Sequence, residues 1–319
     1  MSDQDVIAID LGGTKIEIAL VSPEAKIRDS KRLYVGAFKD AQDIISAMID
    51  VIKDFATQSD RKIKACGVAV AGQVDITSKE IICAPNLGWR SLPLAKLIEN
   101  PTGLKVILIN DVRAALLGEL HYGAAKGASD SVCIFVGTGI GGGIISCGNI
   151  LVGSNNAAGE IGHMVVDVNG PQCSCGNRGC LEAIASGWAI AKAVKKQVQQ
   201  NSKYAKAVID EANGEEISAL HVSRCASRGD AFASEIMNTA FGALAAGAIS
   251  IANIFNPERI IFGGGVFHGQ SEWPGKIAEE IQKRALKAVS QKISVLPATL
   301  GCYSGVIGAS IIARVASSE

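Results

Sequence analysis

Two periods of apolar and polar positions run along the chain, and the switches between them outline its elements. Residues 6–10 form a short apolar run ending in an aspartate, glycines follow at 12 and 13, and a second apolar run covers 16–21. Two such runs around a glycine turn predict a hairpin. From 40 to 57, Ile44, Ile45, Met48, Val51, Ile52 and Phe55 recur at helical spacing, which predicts a helix. Strands are expected at 63–71 and 106–110, with a helix at 111–122 directly after the second. A second set opens near Ser131, with a strand at 132–136, a glycine-rich turn at 137–143 and a returning strand at 142–146. Helices are expected at about 181–197 and 230–255, then a strand at 259–262 and a glycine turn at 263–265. A helix at about 272–288 and a final helix at 303–315 complete the pattern. Both sets open with strand, glycine turn, strand, which suggests duplicated α/β domains with a cleft between them. No short-period repeat is present, and the polar stretch 201–216 is expected to be exposed surface.

Composition sharpens this picture in a few places. A chain of 319 residues, 48% hydrophobic, can bury about three quarters of its unfolded surface and suggests two domains. Lysine plus arginine and aspartate plus glutamate both number 31, which argues against bulk nucleic acid or an anionic membrane as partner. The opening MSDQDVIAID has neither a basic nor an apolar signal region, so no secretory signal is expected. The weakly polar run 239–255 is short for a bilayer and is interrupted by Asn253, so it is expected to be a buried core helix. Cys66, Cys83, Cys133, Cys147, Cys225 and Cys302 lie singly. They suggest no disulfide frame and are consistent with a reducing cytoplasm.

Residues 163–182 read HMVVDVNGPQCSCGNRGCLE and bring His163, Cys173, Cys175 and Cys180 close together in sequence. Three thiolates and an imidazole are the ligand set of a closed tetrahedral Zn2+ site. A disulfide is the competing reading, and it leaves one cysteine unpaired. Glu160 and Glu182 flank the stretch, so a metal knot would fix two carboxylates. In DLGGTK (10–15), glycines would let backbone N–H groups approach phosphate, with Thr14 and Lys15 adding a hydroxyl and a cation. Asp10 could orient water around Mg2+. A plain glycine hairpin with a solvated lysine fits the same residues. GTGIGGG (137–143) is followed by Ile144 and Ile145, which suits a phosphate-cradling hairpin better than a Rossmann turn. Residues 263–265, all glycine, could accept an adenine ring or form an ordinary strand-to-helix turn. Asn110 and Asp111 join a strand to a helix. An aspartate there could take a substrate proton, or the pair could cap the helix.

Taken in order, DLGGTK, AGQVD, APNLGW, NDVRAA, VGTGIGGG, GEIGH and CSCGNRGCLE resemble the ROK family (repressors, open reading frames, kinases). That family belongs to a larger group with hexokinases, actin and heat-shock chaperone ATPases. The resemblance covers almost the whole chain, and APNLGW and LEAIASG look most like bacterial glucokinases. It implies a two-domain α/β, actin-like and hexokinase-like (ribonuclease H-like) ATPase fold with a cleft between domains. Residues 1–118 plus 303–319 would form the small domain, and 119–302 a large domain with the zinc-binding loop. The implied activity is ATP-dependent phosphorylation of a hexose at its 6-hydroxyl, glucose first. Kinases for N-acetylmannosamine, N-acetylglucosamine or fructose are the alternatives. A sugar-responsive repressor is also in the family, but it needs a DNA-reading module, and DLGGTK begins at residue 10.

Residue by residue, Asp111 matches the family's catalytic base. Gly72, Asn86, Asn110, Asp111, Glu160, His163 and Glu182 match sugar-contacting positions. Asp10, Gly12, Gly13, Thr14, Lys15, Thr138, Gly139, Gly264 and Gly265 match the nucleotide and its phosphates. His163, Cys173, Cys175 and Cys180 would hold a structural Zn2+. With its second ring nitrogen free for a sugar hydroxyl, His163 would let the metal orient the sugar site without touching phosphate. Mg2+ would enter with ATP. ATP and a hexose are the implied partners, with no nucleic acid and no membrane, in a homodimer or homotetramer. The chain departs from the family at Arg113, where asparagine is usual.

Overall fold

The computed structural model describes residues 4–59, 62–75, 77–201 and 203–318, so Ser202 of the polar stretch lies outside the described residues. The chain forms two compact units, Met1–Lys126 with Thr299–Glu319, and Gly127–Ala298. The first runs through β1 (Val6–Leu11), β2 (Lys15–Val21), β3 (Ile27–Tyr34), α1 (Ala41–Gln58), β4 (Ala65–Val70) and β5 (Gln73–Asp75). It continues through β6 (Glu80–Ala84), β7 (Trp89–Leu92), α2 (Leu94–Thr102), β8 (Lys105–Asn110) and α3 (Asp111–Tyr122). The second contains β9 (Ser131–Val136), β10 (Ile140–Ser146), β11 (Asn149–Ile150), α4 (Leu181–Ala185), α5 (Gly187–Asn201), α6 (Lys206–Ala212) and α7 (Ala219–Ser227). It ends with α8 (Ala231–Phe255), β12 (Arg259–Gly263), α9 (Gly265–His268), α10 (Trp273–Arg284), α11 (Lys287–Ser290) and β13 (Ser294–Pro297). The chain then returns to the first unit as α12 (Ser304–Ser318).

The first unit's main sheet has the order β3-β2-β1-β4-β8. β1 pairs antiparallel with β2 and parallel with β4. VIAIDL and ACGVAV are buried almost throughout, as central strands covered on both faces must be. Asp40 caps α1 by accepting from the Asp43 N–H, and the six apolar residues at helical spacing are all buried. On the opposite face α12 packs against α3 so closely that a Cβ on Gly308 would lie 1.6 Å from the Ala114 carbonyl oxygen. Arg314 of α12 is buried and donates to the carbonyls of Gln4, Val21 and Ser22. Glu119 of α3 is fully buried. Its carboxylate accepts from the N–H groups of Ala124, Thr299 and Leu300 and from the hydroxyls of Thr299 and Ser304.

The second unit's sheet has the order β11-β10-β9-β12-β13. Its strands follow the same plan as the first sheet: third, second, first, fourth, fifth. α8 is long and apolar enough by composition to cross a membrane, yet half of its most apolar window is buried. Ala240, Leu244, Ala248 and Ile251 sit in the unit's core, the setting expected for that run. The helix expected at 181–197 is two helices. Ser186 has extended backbone at the end of α4, and its hydroxyl accepts from the Ala189 N–H at the start of α5. The helix expected at 272–288 stops at Arg284, with the short α11 after it.

Candidate functional site

Among the described residues, four metal-binding side chains converge in a knot in the second unit. The ligand atoms of His163, Cys173, Cys175 and Cys180 all lie within 4.8 Å of one another. Cys175 Sγ is 3.7 Å from Cys180 Sγ, and Cys173 Sγ is 3.7 Å from His163 Nδ1. A tetrahedron with Zn–S bonds of about 2.3 Å has edges of about 3.8 Å, so the donor set fits such an ion. The same separation is far too long for the disulfide considered above. Local backbone explains the convergence. Cys173 N–H donates to the Asn177 carbonyl and Gly176 N–H to the Cys173 carbonyl, which folds the CSCGN segment on itself. Gly179 has φ 68, and a Cβ there would lie 1.5 Å from the Asp167 carbonyl oxygen. Burial pushes the Cys180 thiol up to about 12. The Asn177 N–H holds the Cys175 thiol below its ordinary value.

The knot opens directly into α4, and Glu182 lies in that helix's first turn. Its Oε2 accepts from the Ile140 N–H at 2.8 Å. A Cβ on Gly139 would come within 2.5 Å of the same oxygen. The turn 137–139 is closed by the Gly137 N–H on the Gly139 carbonyl, and Thr138 is exposed on it. It joins antiparallel strands, as the β-branched residues after it predict. Gly264 has φ 90 and packs on the Val136 backbone just before that turn. Gly265 is exposed and starts α9. Glu160 is exposed, and His163, half-buried, donates its backbone N–H to the Glu160 carbonyl.

In the first unit, Asn110 takes the capping role at the end of β8. Asn110 caps α3, its Oδ1 accepting from the Arg113 N–H at 3.2 Å. Its Nδ2 donates to Asp111 Oδ1 at 3.0 Å and to the Gly72 carbonyl at 3.1 Å. Asp111 is the first residue of α3 and is half-buried. Gly72 itself lies against Cys83 and Ala84 of β6. Arg113 is buried within α3.

Asp10 ends β1's run, and a Cβ on Gly305 in the first turn of α12 would come within 2.6 Å of its carboxylate. Burial pushes the Asp10 carboxyl up to about 6; Lys15 opposes the shift and Glu17 adds to it. The glycine turn closes with the Gly12 N–H on the Lys15 carbonyl. Asn86 packs on Gly13, its Cβ 2.4 Å from where a Gly13 Cβ would stand. Thr14 and Lys15 are exposed at the turn. The contacts of Gly305 with Asp10 and of Glu182 with Ile140 were not foreseen. In each, the partner is distant in sequence, and a backbone N–H or a glycine carries no motif.

Comparison with known proteins gives a consistent answer. The model of the ROK family matches residues 6–316. The chain is 34% identical to a glucokinase of Halalkalibacterium halodurans, over 97% of this chain and 94% of that protein. It is 32% identical to a glucokinase of Thermotoga maritima, over 97% of each. Among solved structures, a ROK family glucokinase from Streptomyces griseus in complex with glucose and AMPPNP superposes with a TM-score of 0.80 at 31% identity, covering 98% of this chain and 100% of that one. The fold is the hexokinase-like, actin-like ATPase fold expected from the sequence, and the chain belongs to the ROK family.

Proposed function

We propose that the chain is an ATP-dependent hexokinase that transfers the γ-phosphoryl group to the 6-hydroxyl of glucose. The observation that carries this reading is the division of labour at the end of β8. Asn110 caps the helix and its amide orients the Asp111 carboxylate, so Asp111 is not needed as the cap. The near full-length similarity to glucokinases supports the same reading. Asp111 takes the proton of the sugar 6-hydroxyl. The oxygen forms its bond to the γ-phosphorus as the bond to the β,γ-bridging oxygen breaks, and ADP leaves. Phosphoryl transfer depends on placement and charge stabilisation more than on covalent chemistry, and a placed base contributes about 10²–10⁴-fold.

Gly72, Asn86 and Asn110 of the first unit, and Glu160, His163 and Glu182 of the second, are assigned to sugar hydroxyls. Asp10 and the turns at 12–15, 137–139 and 264–265 are assigned to the nucleotide. Mg2+ bound with ATP neutralises phosphate charge, and Asp10 is the carboxylate suited to order its waters. His163, Cys173, Cys175 and Cys180 would hold Zn2+ in a structural role, because four protein ligands leave no open position. A homodimer or homotetramer is proposed on family resemblance and is read by sedimentation. The deciding experiment is ADP release over a panel of hexoses with Mg2+ and ATP. Glucose is expected to have the highest kcat/KM. Equal rates for glucose and an N-acetyl sugar would reject glucose as the preferred acceptor.

A further inference from the structure

We propose that Glu182 is a positioning residue for the nucleotide's phosphates, coupling the metal knot to the glycine turn at 137–140. This rests on the assignment of that turn to phosphate. Sugar contact accounts for a carboxylate at 182, but it does not account for where Oε2 points. That oxygen accepts from the Ile140 N–H at 2.8 Å and lies against Gly139.

The start of the next helix, α5, holds the same turn. Gly187 N–H donates to the Gly137 carbonyl at 2.8 Å, and Trp188 N–H to the Thr138 carbonyl at 3.1 Å. Bonds from the first turn of α4 and from the first two residues of α5 therefore grip residues 137–140. The Trp188 side chain packs against Cys173, Cys180 and Ala183, so one residue touches the knot with its ring and the turn with its backbone. Cys180 precedes α4 directly, and it pairs with Val165 across an isolated bridge.

The path from knot to turn is thus short and made of helix, hydrogen bonds and one packed ring. A phosphate-cradling turn must present its N–H groups in a fixed direction to act electrostatically. Glu182 fixes one side of this turn, and it can do so only where the knot sets the start of α4. The metal need not touch phosphate to control how phosphate is held. Oε2 serves the donor substrate in this way, and Oε1 of the same carboxylate is the atom for the sugar hydroxyl assigned above.

The experiment is calorimetric binding of the ATP analogue AMPPNP with Mg2+ to zinc-loaded protein, without sugar, so that a role in sugar contact does not enter. Glu182→Ala is expected to weaken binding by about tenfold or more, the scale of losing a hydrogen bond to a charged group. Glu182→Gln, which keeps an acceptor oxygen, is expected to bind within about threefold of the parent chain, since amide and carboxylate oxygens both accept an N–H. Gly139→Ala drives a methyl into Oε2 and should also weaken binding. In the Glu182→Ala background the same change should add nothing, because the clashing oxygen is gone. Removing the metal with a chelator should weaken the parent chain and leave Glu182→Ala little changed. Unaltered AMPPNP affinity in Glu182→Ala, or additive losses in the double variant, overturns the proposal alone. Failure of the parent chain to bind AMPPNP overturns the nucleotide assignment and this inference together.

Discussion

Asp10 shows how a single side chain can carry a pH dependence. Register pairs it across the sheet with Glu17, whose carboxylate accepts from Arg32 Nε at 2.6 Å on the next strand. Burial is the largest influence on Asp10 and lifts its carboxyl from 3.8 to about 6. A folded value above the unfolded one means that the acid form is the stabilised form. That stabilisation is fully present below about pH 4 and is lost as pH rises through about 6, at a cost of up to about 3 kcal/mol. Asp10→Asn should therefore raise the melting temperature at pH 8 and leave it nearly unchanged at pH 4. If the anion is the form that organises Mg2+, kcat/KM for ATP falls below about pH 6, and a pH-rate profile without that acid limb would remove Asp10 from the nucleotide site. Asp111 is tested by turnover. Asp111→Ala is expected to lose at least about 100-fold in kcat while glucose binding, followed by calorimetry, persists. Near-normal turnover would dismiss it as the base.

At the scale of elements, α3 depends on Glu119 far from the chemistry. Five donors from two stretches of chain converge on that one buried carboxylate. Glu119→Ala strands them all and should cost at least about 3 kcal/mol, seen as a lower urea midpoint; a change under about 1 kcal/mol would mean that water replaces the carboxylate. The sequence announced α3 and its strand but not this anchor, because a lone glutamate in a helix carries no sign of burial. Legibility followed burial elsewhere too. β1, β4 and β9 were readable because strands covered on both faces leave unbroken apolar runs. β3, IRDSKRLY, was not, because it is an exposed edge strand whose charges discourage further pairing. The break at Ser186 was missed because serine interrupts a helical pattern only when its backbone turns. In the site, three cysteines and a histidine advertised themselves by spacing. Whether Asn110 or Asp111 capped α3 could not be read from residue type, since both cap well.

The whole molecule repeats one plan. Each unit lays its strands in the same order, and each keeps its own hydrophobic core. A metal bound at the knot would therefore bear on the units unequally. A chelator should strip hydrogen-exchange protection from residues 163–188 while that of α3 and α12 persists; uniform loss across both units would contradict a knot with local reach. The units also differ in continuity. The second is one stretch of chain, whereas the first is completed by α12, which lies on β4 and α3. During synthesis, then, the first unit's sheet waits for α12, which is made only after the whole second unit. Until Gly308 reaches the Ala114 backbone, the apolar side of that sheet stays wet, and a ribosome stalled before that point would release a half-covered, sticky nascent chain.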